Sequence, residues 1–258
     1  MAANLKPTIF IIGGAFHTPE SYQTLITALE TSGYEVHVPH LPSCNQSRPP
    51  NADLSSDTAH IRSYIESLVR DGRKVVVIAH SYGGQICSNA LCGLGAQVRS
   101  SQGLKGGITA LIYMSSWALP EGSTALDKAE EFGNMDLIPI AFDIAEDQTG
   151  VVRDPKTAFV GPGVDDAAAE AYLSTLIRWN TQCFYQRIEH AAWREIQPIV
   201  YIYTTADMMV PLHYQRSVVE GVEKEGVKVQ TFELNAGHCP YLTDAQRVVD
   251  IVNETVAG

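Results

Sequence analysis

The chain alternates regularly between short apolar runs rich in β-branched residues and longer segments of helical period. This alternation is typical of a parallel sheet covered by helices, because each parallel pair of strands needs a helical crossover. The runs predict strands at Thr8–Ile12, Glu35–Val38, Lys74–Ala79, Ile108–Met114, Ile199–Tyr203 and Lys228–Leu234. The segments between them predict helices at Pro19–Ser32, Leu54–Arg70, Gln85–Leu94, Pro211–Glu223 and Pro240–Val256. For 258 residues we therefore expect one large α/β domain with a mostly parallel central sheet.

One segment, residues 117–197, interrupts the alternation. It contains turn sequences such as LPEGS and VGPG and helical stretches near Ala167–Trp179 and Gln182–Ile196, but no strong strand. We therefore expect a helical insertion at the rim of the sheet, with residues 1–116 and 198–258 forming the core. Two interpretations stay open, a packing subdomain and a lid that shapes a pocket and excludes water.

A serine ends the most hydrophobic strand. Ser81 follows the run Lys74–Ala79 and precedes a helix that begins near Gly83, within the sequence AHSYG at 79–83. A serine on a sharp strand-to-helix corner, with small residues two positions away on each side, is typical of a nucleophile elbow. The helix N-terminus adds free N–H groups and positive potential beside the serine oxygen. His80 is the variable position of this motif, and we expect its side chain to point away from a pocket.

A serine needs a base and an acid to act as a nucleophile at neutral pH. Asp207 follows the predicted strand Ile199–Tyr203, and His238 follows the predicted strand Lys228–Leu234. Taken singly, Asp207 is best interpreted as a helix N-cap, and His238 as a solvated loop residue. The order Ser, Asp, His, with each residue at the end of a strand, favours a catalytic triad instead.

The sequence GGAFHTPESY after the first strand is a candidate oxyanion loop, since its two glycines allow the backbone to approach a substrate. The amides of Ala15 and Tyr82 are the candidate donors to a developing oxyanion. An ordinary glycine turn is the alternative. The candidate substrate contacts are Phe16, His17, Trp117 and Cys239.

These motifs resemble the α/β-hydrolase superfamily, and more narrowly its branch of small plant-type esterases and hydroxynitrile lyases. The stretch from GGAFHTPESY to VHVPHLPS is similar to the His-Gly-x-x-His opening of that branch. The resemblance extends over most of the chain and is weakest in the insertion. It implies an α/β-hydrolase fold with a lid, Ser81 as nucleophile, Asp207 as acid, His238 as base, and the amides of Ala15 and Tyr82 as oxyanion donors.

Two positions depart from that branch. Gly13 stands where the family usually has a histidine before the oxyanion glycine. Cys239 stands directly after the predicted base, where the hydroxynitrile lyases carry a lysine, and this argues against cyanohydrin cleavage.

Composition restricts the partners and the compartment. A net charge of −11 argues against a nucleic-acid partner, and no apolar run reaches the roughly 18 to 20 residues that a membrane span needs. Five cysteines without a CxxC pair suggest neither a disulfide framework nor a zinc site. The N-terminus lacks the pattern of a signal peptide, so we expect a mature chain that starts near Met1 in the cytoplasm. The oligomeric state stays open, a homodimer included.

The residues therefore predict a cofactor-free serine hydrolase that cleaves an ester or lactone of a small, mainly apolar molecule. Two alternatives remain, an acyl-transfer or cyclising enzyme that uses the same triad, and a non-catalytic small-molecule receptor. The insertion concentrates aromatic residues at Trp179, Phe184, Tyr185 and Trp193. We expect Trp193 in the core, and we expect truncation of Trp179 or Phe184 to change the preference among acyl groups.

Overall fold

A six-stranded parallel sheet forms the centre of the protein in the computed structural model, which describes residues 6–258. The first five residues of the predicted core, where we placed the mature N-terminus, lie outside the described residues. The strands of this sheet are β1 (Thr8–Ile12), β2 (Val36–His37), β3 (Lys74–His80), β4 (Gly107–Met114), β8 (Ile199–Thr204) and β9 (Val229–Leu234). Their order is β2-β1-β3-β4-β8-β9, and every neighbouring pair is parallel. The predicted fold class, a mostly parallel sheet flanked by helices, is confirmed.

The helices lie between the strands in the chain. They are α1 (Gln23–Thr31), α2 (Leu54–Arg70), α3 (Gly83–Ala90), α4 (Ala96–Ser101), α5 (Leu126–Glu131), α6 (Ile138–Ala141), α7 (Pro155–Phe159), α8 (Asp166–Leu173), α9 (Leu212–Lys224) and α10 (Pro240–Ala257). Short 3₁₀ helices occupy Pro19–Tyr22, Pro42–Cys44, Met135–Leu137, Thr181–Phe184 and Ala192–Arg194. α1 packs against α10 and α2 packs against α3.

The sheet brings the ends of distant strands together. β1 is buried throughout, and β3 is buried after its first residue, as expected for a parallel sheet covered on both faces. Because all six strands are parallel, β1, β3, β8 and β9 end at the same edge of the sheet. The loops that follow these four strands carry Ala15, Ser81, Asp207 and His238.

The insertion differs from its prediction. Residues 142–180 include a three-stranded antiparallel sheet, β5 (Phe142–Ile144), β6 (Thr149–Val152) and β7 (Trp179–Asn180), so the expectation of no strand was wrong. α8 ends at Leu173, and two short 3₁₀ helices replace the predicted helix at Gln182–Ile196. Strands of two to four residues are too short to show a periodic pattern. Their pairing depends on tertiary contact, such as the close approach at Gly150, where a Cβ would lie 2.5 Å from Thr181 Cγ2.

Across residues 6–258, each helix is either too short or too polar to span a lipid bilayer.

Candidate active site

Ser81 lies on a strained corner between β3 and α3. Its φ angle is +52°, in the left-handed region that few non-glycine residues adopt. A Cβ at Gly83 would lie 2.3 Å from the Ile12 carbonyl oxygen, so α3 can pack this closely against β1 only with glycine there. Ser81 is 8% exposed and its side chain lines a cavity. This is the geometry that the AHSYG sequence predicts.

Asp207 and His238 form a buried pair. His238 Nδ1 lies 2.9 Å from Asp207 Oδ2, and neither side chain is exposed. The other oxygen, Asp207 Oδ1, accepts hydrogen bonds from the amides of Met209 and Val210, each at 2.8 Å. Thr204 Oγ1 donates to Oδ2 at 2.9 Å. The carboxylate is therefore held by several donors, and it orients the imidazole through Nδ1.

The second ring nitrogen of His238 is unpartnered. Within residues 6–258, Nε2 is buried and makes no hydrogen bond, not even to Ser81. Hydrogen bonds between catalytic groups are often long in a structure without substrate and tighten in the reacting complex. With Nδ1 engaged by Asp207, Nε2 is the position from which His238 can accept a proton.

Two backbone amides are free at the same edge of the sheet. Among the described residues, the amide of Ala15 and that of Tyr82 donate no hydrogen bond. The Tyr82 side chain is fixed separately, because its hydroxyl donates at 2.8 Å to Asp57, a fully buried carboxylate on α2. Burial raises the pKa of Asp57 against the effect of its hydrogen bonds from Ser43 and Tyr82. Free N–H groups beside a serine are what an oxyanion hole requires.

An apolar cavity of about 140 Å³ opens onto Ser81. Its lining from the core is Ala15, Phe16, Ser81, Trp117, Met208, Met209, Val210, Pro211 and Tyr214, and its lining from the insertion is Ala125, Leu126, Ala129, Asn134, Leu137, Ile138, Ala141, Phe142, Phe159 and Phe184. None of these described side chains is charged. At 66% exposed, Met208 is the most solvent-accessible of them.

The four candidate substrate contacts divide into two pairs. Phe16 and Trp117 line the cavity. His17 and Cys239 are absent from the described lining and belong to a buried polar cluster, in which Tyr172 Oη lies 2.7 Å from His17 Nε2 and 3.1 Å from Cys239 Sγ. Proximity in the chain to the oxyanion loop and the base suggested these two as contacts, whereas their side chains pack beneath the site.

Burial determines the ionisation of this cluster. It lowers the pKa of His17 to about 3, against the effect of a hydrogen bond to the Ala15 carbonyl, and it raises the pKa of the Cys239 thiol to about 12. His17 is therefore neutral and Cys239 is a protonated thiol near pH 7. Neither group supplies a charge or a nucleophile to the site. Across residues 6–258, no group of three or more His, Cys, Asp or Glu side chains is placed to hold a metal ion.

Sequence reasoning missed several residues around Ser81. Phe159, at the end of α7, lines the cavity and packs against His238 with ring centroids 5.6 Å apart. Asn134 Nδ2 donates to Tyr214 Oη at 2.7 Å, and this pair adds polar groups to a mainly apolar lining. Phe159 and Asn134 lie in the insertion, where no motif marks them. Tyr214 had a weak signal, since it is in the first turn of the helix that follows Asp207.

The fold and these residues define the class of the protein. A family model described as the alpha/beta hydrolase family matches residues 9–251, so the chain belongs to this family. The superfamily membership predicted from the sequence is thereby confirmed, and the protein is a hydrolase.

Two fungal relatives match over nearly the whole chain. The probable hydrolase R7 of Phoma sp. (strain ATCC 20986 / MF5453) is 28% identical over 254 residues, which are 96% of this chain and 98% of that protein. The alpha/beta hydrolase nvfD of Aspergillus novofumigatus (strain IBT 16806) is 29% identical over 260 residues, with 96% of each chain covered. Among solved structures, the fold is similar to that of the methylesterase protein MES16 from Arabidopsis, with a TM-score of 0.72 at 14% identity over 97% of this chain and 99% of that one. The predicted resemblance to plant-type esterases is thus confirmed for the fold.

Proposed function

We propose that the protein is a cofactor-free serine hydrolase that cleaves an ester or lactone of a small, mainly apolar molecule. The observation that carries this proposal is an apolar cavity opening onto Ser81, with the buried His238–Asp207 pair behind Phe159. The relatives named as hydrolases support the same class.

The proposed reaction begins when Ser81 Oγ attacks the substrate carbonyl. His238 Nε2 takes the serine proton, while Asp207 keeps the proton of His238 on Nδ1. The negative charge that develops on the carbonyl oxygen is stabilised by the amides of Ala15 and Tyr82. The leaving alcohol receives the proton from His238, and a water molecule then releases the acid and restores Ser81. These groups supply nucleophile, base and electrophilic stabilisation, so this mechanism needs no cofactor.

The cavity lining supports a neutral, apolar substrate. A charged substrate group would lose its hydration there without meeting an opposite charge among the described lining residues. The polar pair Asn134–Tyr214 leaves the side-chain oxygen and the second amide proton of Asn134 and the hydroxyl proton of Tyr214 available, since the pair uses one amide proton of Asn134 and a lone pair of Tyr214. We propose that a substrate carries few hydrogen-bonding groups away from the reacting carbonyl.

A second candidate function uses the same acyl-enzyme. In an acyl-transfer or cyclising enzyme, a nucleophile of the substrate replaces water in the second step. The apolar lining favours this candidate, because it leaves few positions that would hold a hydrolytic water molecule. Product analysis separates the two candidates.

A fluorophosphonate probe tests the proposal directly. We expect a single covalent adduct on Ser81, together with turnover of short-chain aryl esters, lactones or hydrophobic methyl esters. Mass spectrometry of the products then distinguishes a free acid from a cyclised product. An unlabelled Ser81 in folded protein, with no turnover of any of these esters, would refute the proposed serine-hydrolase function.

Phe184 and Trp179 provide a matched pair for testing the insertion. Their rings contact each other with centroids 4.8 Å apart, but Phe184 lines the cavity and Trp179 does not. Trp179 is 1% exposed, and its Nε1 donates to Ser43 Oγ at 2.9 Å. We therefore propose that Phe184, and not Trp179, contacts the acyl group of a substrate.

We expect Phe184→Ala to change the ratio of kcat/KM between long-chain and short-chain aryl esters by about tenfold or more, since a methylene contact is worth roughly 1–3 kcal/mol of discrimination. Trp179→Phe is the control and should lower the free energy of unfolding while leaving that ratio unchanged. The same ratio in Phe184→Ala as in wild type would mean that selectivity lies elsewhere in the cavity.

A further inference from the structure

A chain of hydrogen bonds connects the oxyanion loop to the backbone of the catalytic base. The Gly14 amide donates to Tyr22 Oη at 2.7 Å, and Tyr22 Oη lies 2.7 Å from His80 Nδ1. His80 Nε2 lies 3.0 Å from the carbonyl oxygen of His238. Tyr22 and His80 are buried, so these contacts are shielded from water. As expected, His80 is not among the described residues that line the cavity. Both of its ring nitrogens nevertheless take part in this chain of hydrogen bonds.

The two ends of this chain determine the direction of each hydrogen bond in it. A carbonyl oxygen only accepts, so the proton of the His80 ring lies on Nε2 and is donated to His238. In a neutral imidazole the other nitrogen then has no proton, and His80 Nδ1 accepts from the Tyr22 hydroxyl. Tyr22 in turn accepts from the Gly14 amide, which only donates. Burial lowers the pKa of His80 well below its ordinary value, so the ring stays neutral.

We propose that Tyr22 and His80 are positioning residues that hold the oxyanion loop and the catalytic base in one relative geometry. This inference rests on the proposed serine-hydrolase function. Gly14 directly precedes Ala15, whose amide is one oxyanion donor, and the carbonyl at the other end belongs to His238 itself. Aligned hydrogen bonds in a low-dielectric interior polarise and strengthen one another. A displacement of about 1 Å at reacting groups can cost on the order of 10²-fold in rate.

The residues around this chain of hydrogen bonds support a positioning role for Tyr22 and His80. Gly13 leaves room for Tyr22, because a Cβ there would lie 3.3 Å from the Tyr22 ring. Gly13, which stands where the related family usually has a histidine, is therefore the residue against which Tyr22 packs. Ser115 Oγ donates to the same His238 carbonyl at 2.9 Å, so this oxygen has two donors and is tightly fixed.

Three variants interrupt or preserve this chain of hydrogen bonds. Tyr22→Phe removes the hydroxyl, His80→Leu removes both ring nitrogens, and His80→Gln keeps one acceptor and one donor in a planar group. For p-nitrophenyl acetate we expect the first two to lower kcat by about 10- to 100-fold with little change in KM, because the oxyanion loop and the base act in the transition state. His80→Gln should recover most of the loss. Tyr113→Phe is the matched control, since Tyr113 is buried in β4, its hydroxyl contacts Cys87, and it is outside the described cavity lining.

Two further measurements separate positioning from a loss of packing. The double variant Tyr22→Phe/His80→Leu should lose about as much kcat as the worse single variant, because both changes interrupt one chain. Nitrogen NMR of wild-type protein at neutral pH should show His80 protonated on Nε2 and not on Nδ1, a result that does not depend on any variant folding.

Several outcomes would overturn the positioning role: single variants as active as Tyr113→Phe, multiplicative losses in the double variant, no recovery in His80→Gln, or a proton on His80 Nδ1. A wild-type protein that fluorophosphonate does not label would instead remove the proposed function, and this inference with it. If fluorophosphonate labels the wild-type protein but the variants keep its kcat, this inference alone would be removed.

Discussion

Replacing Ser81 by alanine is expected to abolish ester turnover while leaving the fold intact. Loss of the nucleophile in a comparable triad lowers kcat by about 10⁶-fold. The corner should tolerate the change, because alanine and serine meet the same steric restriction at a φ of +52°. Steady-state kinetics with p-nitrophenyl acetate measure the effect, and a thermal unfolding curve establishes that the variant is folded.

Ser88→Ala is the control for this experiment. Ser88 is a fully buried serine on α3 whose hydroxyl donates to the Gly84 carbonyl at 2.9 Å, and it is outside the described cavity lining. Its activity should match that of wild type. Turnover by the Ser81 variant within about tenfold of wild type would refute the assignment of the nucleophile.

The second large effect is expected for Asp207→Asn. Its side-chain oxygen can still accept from the amides of Met209 and Val210, so the loop geometry should persist. The new amide nitrogen cannot accept the Nδ1 proton of His238, and the ring then favours the tautomer with its proton on Nε2. That tautomer cannot take the serine proton, and a comparable triad loses on the order of 10⁴-fold in kcat.

Asp244→Asn is the matched control for the acid. Asp244 is the next carboxylate after His238, but it is exposed and accepts a hydrogen bond from the Arg247 amide at a kink in α10. We expect wild-type kinetics for this variant. A loss below about tenfold in Asp207→Asn would mean that another carboxylate serves His238.

The sequence alone predicted the features that depend on local chemistry and on periodicity. The strand Thr8–Ile12 and the helix Leu54–Arg70 have the same bounds in the structure, because an apolar β-branched run and an amphipathic repeat are local signals. The corner at Ser81 was predictable for a similar reason, since small residues on both sides allow a tight strand-to-helix turn. The places of Asp207 and His238 followed from the rule that parallel strands end at one edge of a sheet.

Other features depended on contacts between residues far apart in the chain. Tyr22 and His80 are separated by 58 positions, and His17 and Cys239 by 222. A sequence pattern indicates the face on which such a side chain lies, but it does not indicate which partner it meets. Hence Cys239 was expected to contact substrate, whereas it packs in a buried cluster.

The cavity was likewise decided by the tertiary structure. The sequence predicted an insertion with many aromatic residues, but whether Phe184 or Trp179 lines the cavity depended on the packing of a small antiparallel sheet over Ser43. The strands of this sheet are too short to carry a periodic signal, and pairing with one another gives them their conformation. The corner at Ser81 was predictable from the sequence, because a tight strand-to-helix turn depends on neighbouring residues. The shape of the cavity was not, because it arises only where distant segments pack together.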